Sequence, residues 1–488
     1  MIASNAELFA VLRQFNPWWA GGRSPDLPKW RRAAFKEIAD WSLNPPAHRA
    51  ILLSGARQIG KTTLYLQVID DLLDRDVPPG NILYVTFDHP LLKLVGIERL
   101  LELWREHEPV QDGPEYLFLD EIQVTKDWQV WLKHQIDFEK RRRIAVTGSA
   151  TPLATEGQES GVGRWHTIRL ATLSFFEYLQ LRRLELPPLP HVTSLRSLFE
   201  WKTADFERIG PLARPLTALF HEYLLRGGFP QSAQIESIPL AQKLLREDIV
   251  DKVLKRDMTA LFGVRRVLEL EQVFLFLCLH DGSQLNVAEL CSSLQLKKPT
   301  VSNFITLLES AHLVHRLLPI GYGKSVLRAQ PKVYLADAAL APSVLLKGKG
   351  MLEDDDALAR AVETAFFKHV FTRYYAQSVS FSYWRGKRGH EVDVIADTGD
   401  RLVPFEVKYR ARAHTGMSDL KGILEFCSER KVDSAYVVTR ESNDFGVENL
   451  DPSSHPRRLL RIPAPLACYW LGRSELESSH PRTEPVDA

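Results

Sequence analysis

The sequence predicts an α/β chain built around a parallel sheet, with a second α/β block toward its C-terminal end. From Ala50 to about Ser174, short apolar runs ("AILLSG", "NILYVTF", "EYLFLDE", "RRIAVTGS", "WHTIRL") alternate with helical patterns. That alternation marks crossover units whose strands are buried on both faces. From Ala357 to Thr439 the pattern reads helix, three strands, helix, strand, a second arrangement of the same class.

At 488 residues the chain has room for about two to four domains, each with its own core. Lys plus Arg (62) balances Asp plus Glu (61), so net charge singles out neither nucleic acid nor a membrane, and any basic surface has to be local. The four cysteines, Cys278, Cys291, Cys427 and Cys468, lack paired spacing, which fits free thiols in a reducing compartment and predicts a cytoplasmic protein. The longest apolar stretch, "VFLFLCL" at Val273 to Leu279, is too short to span a bilayer, and the N-terminus lacks a basic-then-apolar signal pattern.

The expected boundaries follow the pattern changes. Residues 1–47 are a helical lead-in, where "NPWW" and the spacing of Trp30, Phe35, Ile38 and Trp41 predict packing on the next domain. Trp18, Trp19 and Trp30 are read as packing residues, with base stacking as the alternative. Residues 48–174 form the parallel-sheet core and 175–270 a helical region. Residues 271–345 carry a helix-turn-helix followed by a short strand, a winged-helix pattern. There Lys297, Lys298, Ser302 and Asn303 are candidate DNA contacts, and protein interaction is the other use of such a module. Residues 346–473 form the second α/β domain, and 474–488 a fraying tail.

Between the first strand and its helix, Gly55-Ala56-Arg57-Gln58-Ile59-Gly60-Lys61-Thr62, followed by Thr63, fits a phosphate-binding loop. The glycines let backbone N–H groups converge on phosphate oxygens. Lys61 adds a point charge, and the Thr62 hydroxyl is a Mg²⁺ ligand. The strand "EYLFLDE" ends in two acids: Asp120 to hold Mg²⁺, and Glu121 to orient and deprotonate an attacking water. ATP with Mg²⁺ is the predicted cofactor pair, and Ser149, after Thr147-Gly148, is a candidate sensor of the terminal phosphate.

These residues resemble a family of ATP-binding proteins with an AAA-type ATPase followed by the domain designated DUF4143. The shared stretches are "GARQIGKTTL", "LDEIQ", "TGSA", Gly163-Arg164, "LSFFEYL", "RGGFP", "KVYLADAAL" and "EVDVIA...PFEVK", spread from about Ala50 to Arg440. The resemblance implies an AAA+ core, a helical lid with a winged helix, and a C-terminal restriction-endonuclease-like fold. It also implies that Arg164 reaches a neighbouring subunit's nucleotide in a homo-oligomer, a hexamer being favoured. Gly228-Phe229-Pro230 would approach the nucleotide, and Arg226 a phosphate. Ala150 departs from the family's usual polar residue and leaves sensing to Ser149.

Asp393 in "EVDVI" and Glu406-x-Lys408 in "PFEVKYR" match the PD-(D/E)xK nuclease pattern, with Val392 in place of its proline. Strand alternation puts Glu406 and Lys408 on one face, opposite Asp393. Asp393, Glu406 and the helix acid Glu363 would then bind Mg²⁺ or Mn²⁺, with Lys408 assisting hydroxide formation. Arg385, Lys387 and Arg388 at a hairpin turn are candidate contacts to a nucleic-acid backbone, a solvated turn being the alternative. Two uses of this domain stay open at this level: a metal-dependent nuclease controlled by ATP, with DNA as partner, or a fold that only binds DNA or a protein partner.

Overall fold

The computed structural model describes residues 4–148, 163–321, 326, 329–375, 377, 379–410 and 416–478. The chain folds as two compact units. The first runs through Leu170 and takes in Ser310–His312; the second comprises Ala171–Glu309 and Leu313–Glu477.

In the first unit the helices α1 (Asn5–Phe15) and α2 (Ala34–Leu43) precede β1 (Ala50–Ser54), α3 (Lys61–Asp74), β2 (Ile82–Thr86), α4 (Ile97–His107), β3 (Glu115–Asp120), α5 (Trp128–Phe138), β4 (Arg142–Gly148) and β5 (Trp165–Arg169). Each of the five apolar runs becomes a strand. Their order is β2-β3-β4-β1-β5, every pairing parallel, so β1 is an interior strand and the loop after it leaves from the middle of the sheet. The core joins Leu52, Leu83, Leu117 and Val146 of the strands to Leu8 and Leu12 of α1.

The lead-in helix is held by its sequel, "NPWW". β2 is an edge strand, and its exposed backbone groups need partners. Asn16, fully buried, supplies them: its side-chain oxygen accepts from the Tyr84 N–H at 2.7 Å and its amide donates to the Tyr84 carbonyl at 2.9 Å. One side chain thus reproduces both hydrogen bonds of a neighbouring strand residue. The indole N–H groups of Trp18 and Trp19 both donate to the Ile82 carbonyl, and Trp18 is buried, so the tryptophans pack here instead of facing solvent.

The second unit opens with α6 (Phe175–Leu181), α7 (Thr203–Ala213), α8 (Pro215–Arg226), α9 (Pro230–Gln234), α10 (Ile238–Arg246), α11 (Met258–Phe262), α12 (Val267–Leu279), α13 (Val287–Leu294) and α14 (Lys298–Ser310). There follow β6 (Val314–Pro319), β7 (Lys332–Leu335), α15 (Leu340–Val344), α16 (Asp355–Tyr375), β8 (Ser380–Arg385), β9 (Glu391–Asp397), β10 (Leu402–Lys408), α17 (Lys421–Arg430), β11 (Ser434–Thr439), β12 (Gly446–Asn449), β13 (Arg458–Pro463) and α18 (Ala464–Ser478). Among the described residues the strands form one mixed sheet ordered β12-β13-β11-β10-β9-β8-β6-β7.

Two expectations change here. The strand read as a wing, β6, pairs antiparallel with β7 and also parallel with β8 at Leu318 and Ser382, so the hairpin is the margin of the C-terminal sheet. The helix-turn-helix is present as α13 and α14, with Gln295 left-handed at the turn. The tail expected after Arg473 is helical as far as Ser478, and residues 479–488 lie outside the described residues.

A buried ion pair organises the second unit. The Lys368 ammonium on α16 donates to Leu173 O at 2.9 Å and Thr172 Oγ1 at 3.0 Å, and lies 3.3 Å from Asp337 Oδ2. It also meets the Tyr223 hydroxyl of α8. Asp337 accepts from the N–H groups of Gly228 and Ala339, each at 3.0 Å. The "RGGFP" turn runs so close that a Cβ on Gly228 would stand 2.5 Å from Leu173 O, and Gly227 has φ 79°. Beside this pair His369 accepts the Phe175 N–H at 2.7 Å and bonds the Ala365 carbonyl through Nδ1 at 2.6 Å. Burial, with Lys368 adjacent, pushes its pKa down to about 3.

Two predictions follow from these contacts. Asn16→Ala leaves the Tyr84 N–H and carbonyl without partners, and urea unfolding of the first unit will show a loss of about 2–3 kcal/mol. Because the unfolded chain protonates His369 at about pH 6.5 and the folded chain only near pH 3, its contribution is full above pH 6.5 and is lost as pH falls toward 3. His369→Gln, which cannot titrate, will therefore show a shallower decline of melting temperature between pH 7 and pH 5 than the parent chain.

Candidate functional site

The loop between β1 and α3 is shaped by two glycines for different reasons. A Cβ on Gly55 would sit 2.3 Å from Leu170 O and 2.4 Å from Ile59 Cδ1, so only glycine fits the close approach to the segment after β5. Gly60, capping α3, has φ 93°, and Gln58 is also left-handed with φ 61°. Arg32 of the lead-in, buried, braces the loop by donating to Ile59 O at 3.0 Å, and Arg57 pairs with Asp88 at 3.2 Å. Ala56 and Ile59 are buried, while Arg57 and Gln58 are partly exposed on the loop.

Lys61 begins α3. Its buried ammonium donates to Gly55 O and Ala56 O, both at 3.0 Å, and lies 3.8 Å from Glu121 Oε1. Thr62 donates its hydroxyl to Asp120 Oδ2 at 2.7 Å, which brings the two predicted Mg²⁺ ligands together from α3 and the tip of β3. Thr63, next along α3, is half-buried. Asp120 also accepts from the Tyr84 hydroxyl at 3.0 Å and from Thr147 at 2.5 Å, and its burial raises its pKa against those hydrogen bonds. Hard oxygen donors beside a loop of backbone amides are a donor set that fits Mg²⁺ and a polyphosphate.

Glu121 follows with φ 55°, a left-handed backbone that a glutamate adopts at a cost of about 1–3 kcal/mol. Its N–H bonds Thr147 Oγ1 at 2.9 Å and its carboxylate meets the Gln123 amide. The strain turns the carboxylate out of the strand line, on the Lys61 side. Tyr84, Thr147 and Arg32 were missed by sequence reasoning; Tyr84, mid-way along β2, and Thr147, near the tip of β4, sit on the two strands adjacent to β3, a position knowable once strand order is known.

Arg164, just before β5, lies 3.4 Å from Asp137 and is partly exposed. Ser149 lies outside the described residues. Arg226 departs from its expected part: its guanidinium is buried and bonded to the backbone carbonyls of Ile235 and Glu236, with Glu222 at 3.5 Å, so it closes the turn after α8. Gly228 likewise packs on Leu173 and Asp337.

The second cluster lies on the C-terminal sheet. The antiparallel register that pairs Val394 with Phe405 carries Asp393 beside Val407, whose N–H donates to Asp393 Oδ2 at 2.9 Å. Lys408 lies 2.6 Å from Glu406 Oε1, as the shared face requires. Glu363 of α16 joins them. The residue that sequence reasoning missed is Lys332 on β7, whose buried ammonium lies 2.7 Å from Glu391, 3.0 Å from Asp393 and 3.2 Å from Glu363. Tyr334, two residues on and on the same face, donates to Glu363 at 2.7 Å. A lysine and a tyrosine at alternate positions of "KVYL" were the available signal.

Electrostatics divides Glu363, Asp393 and Glu406. Burial, then the Asp393 charge, pushes Glu406 up to about 8, and Glu363 rises to about 6 for the same reasons. At Asp393 burial acts upward too, but Lys332 and Lys408 outweigh it and hold the carboxyl below its ordinary value. The role of Glu363, Asp393 and Glu406 as a shared metal set does not fit this arrangement. An ammonium stands among the carboxylates, and among the described residues no three His, Cys, Asp or Glu side chains converge as metal ligands. One acceptor is left over, the buried Oε2 of Glu406, which has no hydrogen-bond partner.

Comparison with known proteins agrees with the first site. The family model described as an AAA domain matches residues 47–179. Residues 47–179 are an AAA-type ATPase domain. Beyond it, residues 217–350 match a domain of unknown function, DUF8612, and residues 359–456 match DUF4143. An uncharacterized protein of Haemophilus influenzae is 26% identical over 377 residues, 75% of this chain and 84% of that protein. One of Methanocaldococcus jannaschii is 22% identical over 417 residues, 83% and 84% of the two chains. Among solved structures, the Aeropyrum pernix ORC1 protein in complex with DNA aligns at TM-score 0.30 and 16% identity, over 69% of this chain and 96% of that one. Domain III of the Thermotoga maritima replication initiation protein DnaA aligns at 0.27 and 13%, over 47% and 92%. No helix among the described residues is long and apolar enough to cross a membrane.

Lys332→Met strips the acid cluster of its central cation, and thermal unfolding will report a loss of about 3–5 kcal/mol in the second unit. Millimolar Mg²⁺ or Mn²⁺ will recover part of that loss in the variant and leave the parent chain unchanged.

Proposed function

We propose that this chain is an oligomeric, Mg²⁺-dependent ATP hydrolase that acts on DNA through its second unit. The observation that carries the reading is the meeting of Lys61, Thr62, Asp120 and a backbone-strained Glu121 at one end of the AAA-type sheet. Thr62 and Asp120 would hold the Mg²⁺, which when bound draws charge from the phosphate oxygens. Lys61 would leave the loop carbonyls for the terminal phosphates. Glu121, an acid with a cation nearby, takes the proton of the attacking water as the bond to the leaving phosphate breaks. Arg164, partly exposed beside Asp137 just before β5, would complete a neighbouring subunit's site by exchanging that pair for the nucleotide, and AAA-type resemblance favours a hexamer.

Exposed polar groups support DNA as the partner of the second unit. Lys297, just before α14, and Lys298, Ser302 and Asn303 on it are exposed while Val301, Phe304, Ile305 and Leu308 are buried, so the polar face is open to a groove or a phosphate backbone. Arg385, Lys387 and Arg388 of the β8–β9 turn are exposed as well. For the acid–lysine cluster, the ammonium of Lys332 favours binding without cleavage. Nuclease chemistry keeps one observation in its favour, the unpartnered oxygen of Glu406 next to Lys408.

A single reaction with ATP, Mg²⁺ and labelled DNA, following phosphate release and strand integrity together, tests both parts. Glu121→Gln will bind ATP and hydrolyse it about 10²–10⁴-fold more slowly. Arg164→Ala will be slow yet still bind nucleotide, and activity per subunit will rise with protein concentration. DNA will stimulate hydrolysis and stay intact; scission lost in Lys408→Ala would instead make the cluster a nuclease. A fully active monomer unresponsive to DNA would overturn the proposal.

A further inference from the structure

We propose that a cavity of about 650 Å³ in the second unit, distinct from the acid–lysine cluster, is a binding site for a nucleoside phosphate. It opens at the β9–β10 turn and the start of β11, where Leu402, Val403 and Ser434 form part of its wall. Val403 and Phe405 line it from β10, and strand alternation turns them to the face opposite Glu406 and Lys408, so the two sites lie on opposite faces of that strand.

Its charge is the first argument. Six cationic side chains line it against two carboxylates, in a chain whose net charge is only +1. Arg196, Arg401, Arg430 and Lys431 are exposed at its rim, and none has an ion-pair partner among the described residues. Of the carboxylates, Asp433 pairs with His455 and Arg457, and Asp400, exposed and accepting from the Thr398 hydroxyl, keeps its charge, which leaves the cations in excess. Four unpaired cations around one concavity repel one another and focus a positive potential that an anion relieves.

Its walls are the second argument. Phe199 and Phe405 flank Tyr436 with ring centroids 5.2 and 4.9 Å away, and Tyr374 is half-buried beneath the Arg373 guanidinium at 5.2 Å. Phe199, Phe405 and Tyr436 are buried and form an apolar floor, so the partly exposed ring of Tyr374, beside Arg373, is the face on which a base could stack next to its own phosphate; the volume lies in the range of small-ligand sites, far larger than a lone phosphate needs. The ligand is a nucleoside phosphate, either free or as the phosphorylated end of a nucleic-acid strand.

Equilibrium dialysis of the full-length Lys61→Ala chain, whose first nucleotide site is weakened, against labelled AMP and a labelled 5′-phosphorylated dinucleotide tests this. Saturable binding at low salt is expected, weakened roughly tenfold or more in the added double variant Arg401→Glu/Arg430→Glu and retained in Arg401→Lys/Arg430→Lys. Both pairs are exposed, and unchanged thermal unfolding will show that the fold is kept. Binding of AMP assigns a free nucleotide; binding of the dinucleotide alone assigns a strand end. No saturable binding of either probe, binding unchanged by the charge reversal, or inorganic phosphate competing as well as AMP would overturn the proposal.

Discussion

A lysine cannot be taken out of water without partners for its charge and its protons, and the second unit is arranged around meeting that demand for Lys368. Its partners come from far apart in the chain: Thr172 and Leu173 before α6, Tyr223 on α8, Asp337 after β7. Asp337 in turn fixes the turn at Gly228 and the start of α15 through backbone N–H groups. Stretches that look like separate motifs, "LSFFEYL", "RGGFP" and "KVYLADAAL", therefore meet at one ion pair. The two glycines of "RGGFP" leave no room for a side chain because Asp337 and Leu173 are already packed against them.

The two sites use lysine in opposite ways. At the AAA-type site Lys61 is held by carbonyl dipoles, with a carboxylate at 3.8 Å, so a polyphosphate offers it more than it has. On the C-terminal sheet Lys332 has three carboxylates within 3.2 Å, and each of them would lose a partner if it moved. The first arrangement is poised for a ligand; the second is closed on itself except at Glu406.

What the sequence revealed, and what it did not, follows from the range of the interactions. Five strands of the first sheet were legible because a buried parallel strand must be apolar along its length, and the phosphate loop because its glycines and lysine are contiguous. Asp393, Glu406 and Lys408 were legible as a group because alternation on a hairpin is local. Lys332 was not, since its place among the acids depends on β7 reaching the sheet through β6, a pairing that the pattern of "KVYL" does not encode. The phosphate contact expected of Arg226 came from the family resemblance, which carries no information on the carbonyls of Ile235 and Glu236 that hold its guanidinium in this chain.

The amide of Asn16 has one further consequence. A parallel sheet whose outer strand is left open invites another chain to add a strand of its own, the route to edge-to-edge aggregation. By occupying both backbone groups of Tyr84, and with two indoles on Ile82, the lead-in segment closes that margin without being a strand itself. Copies of this chain can therefore meet at high concentration without β2 serving as a template for fusing their sheets.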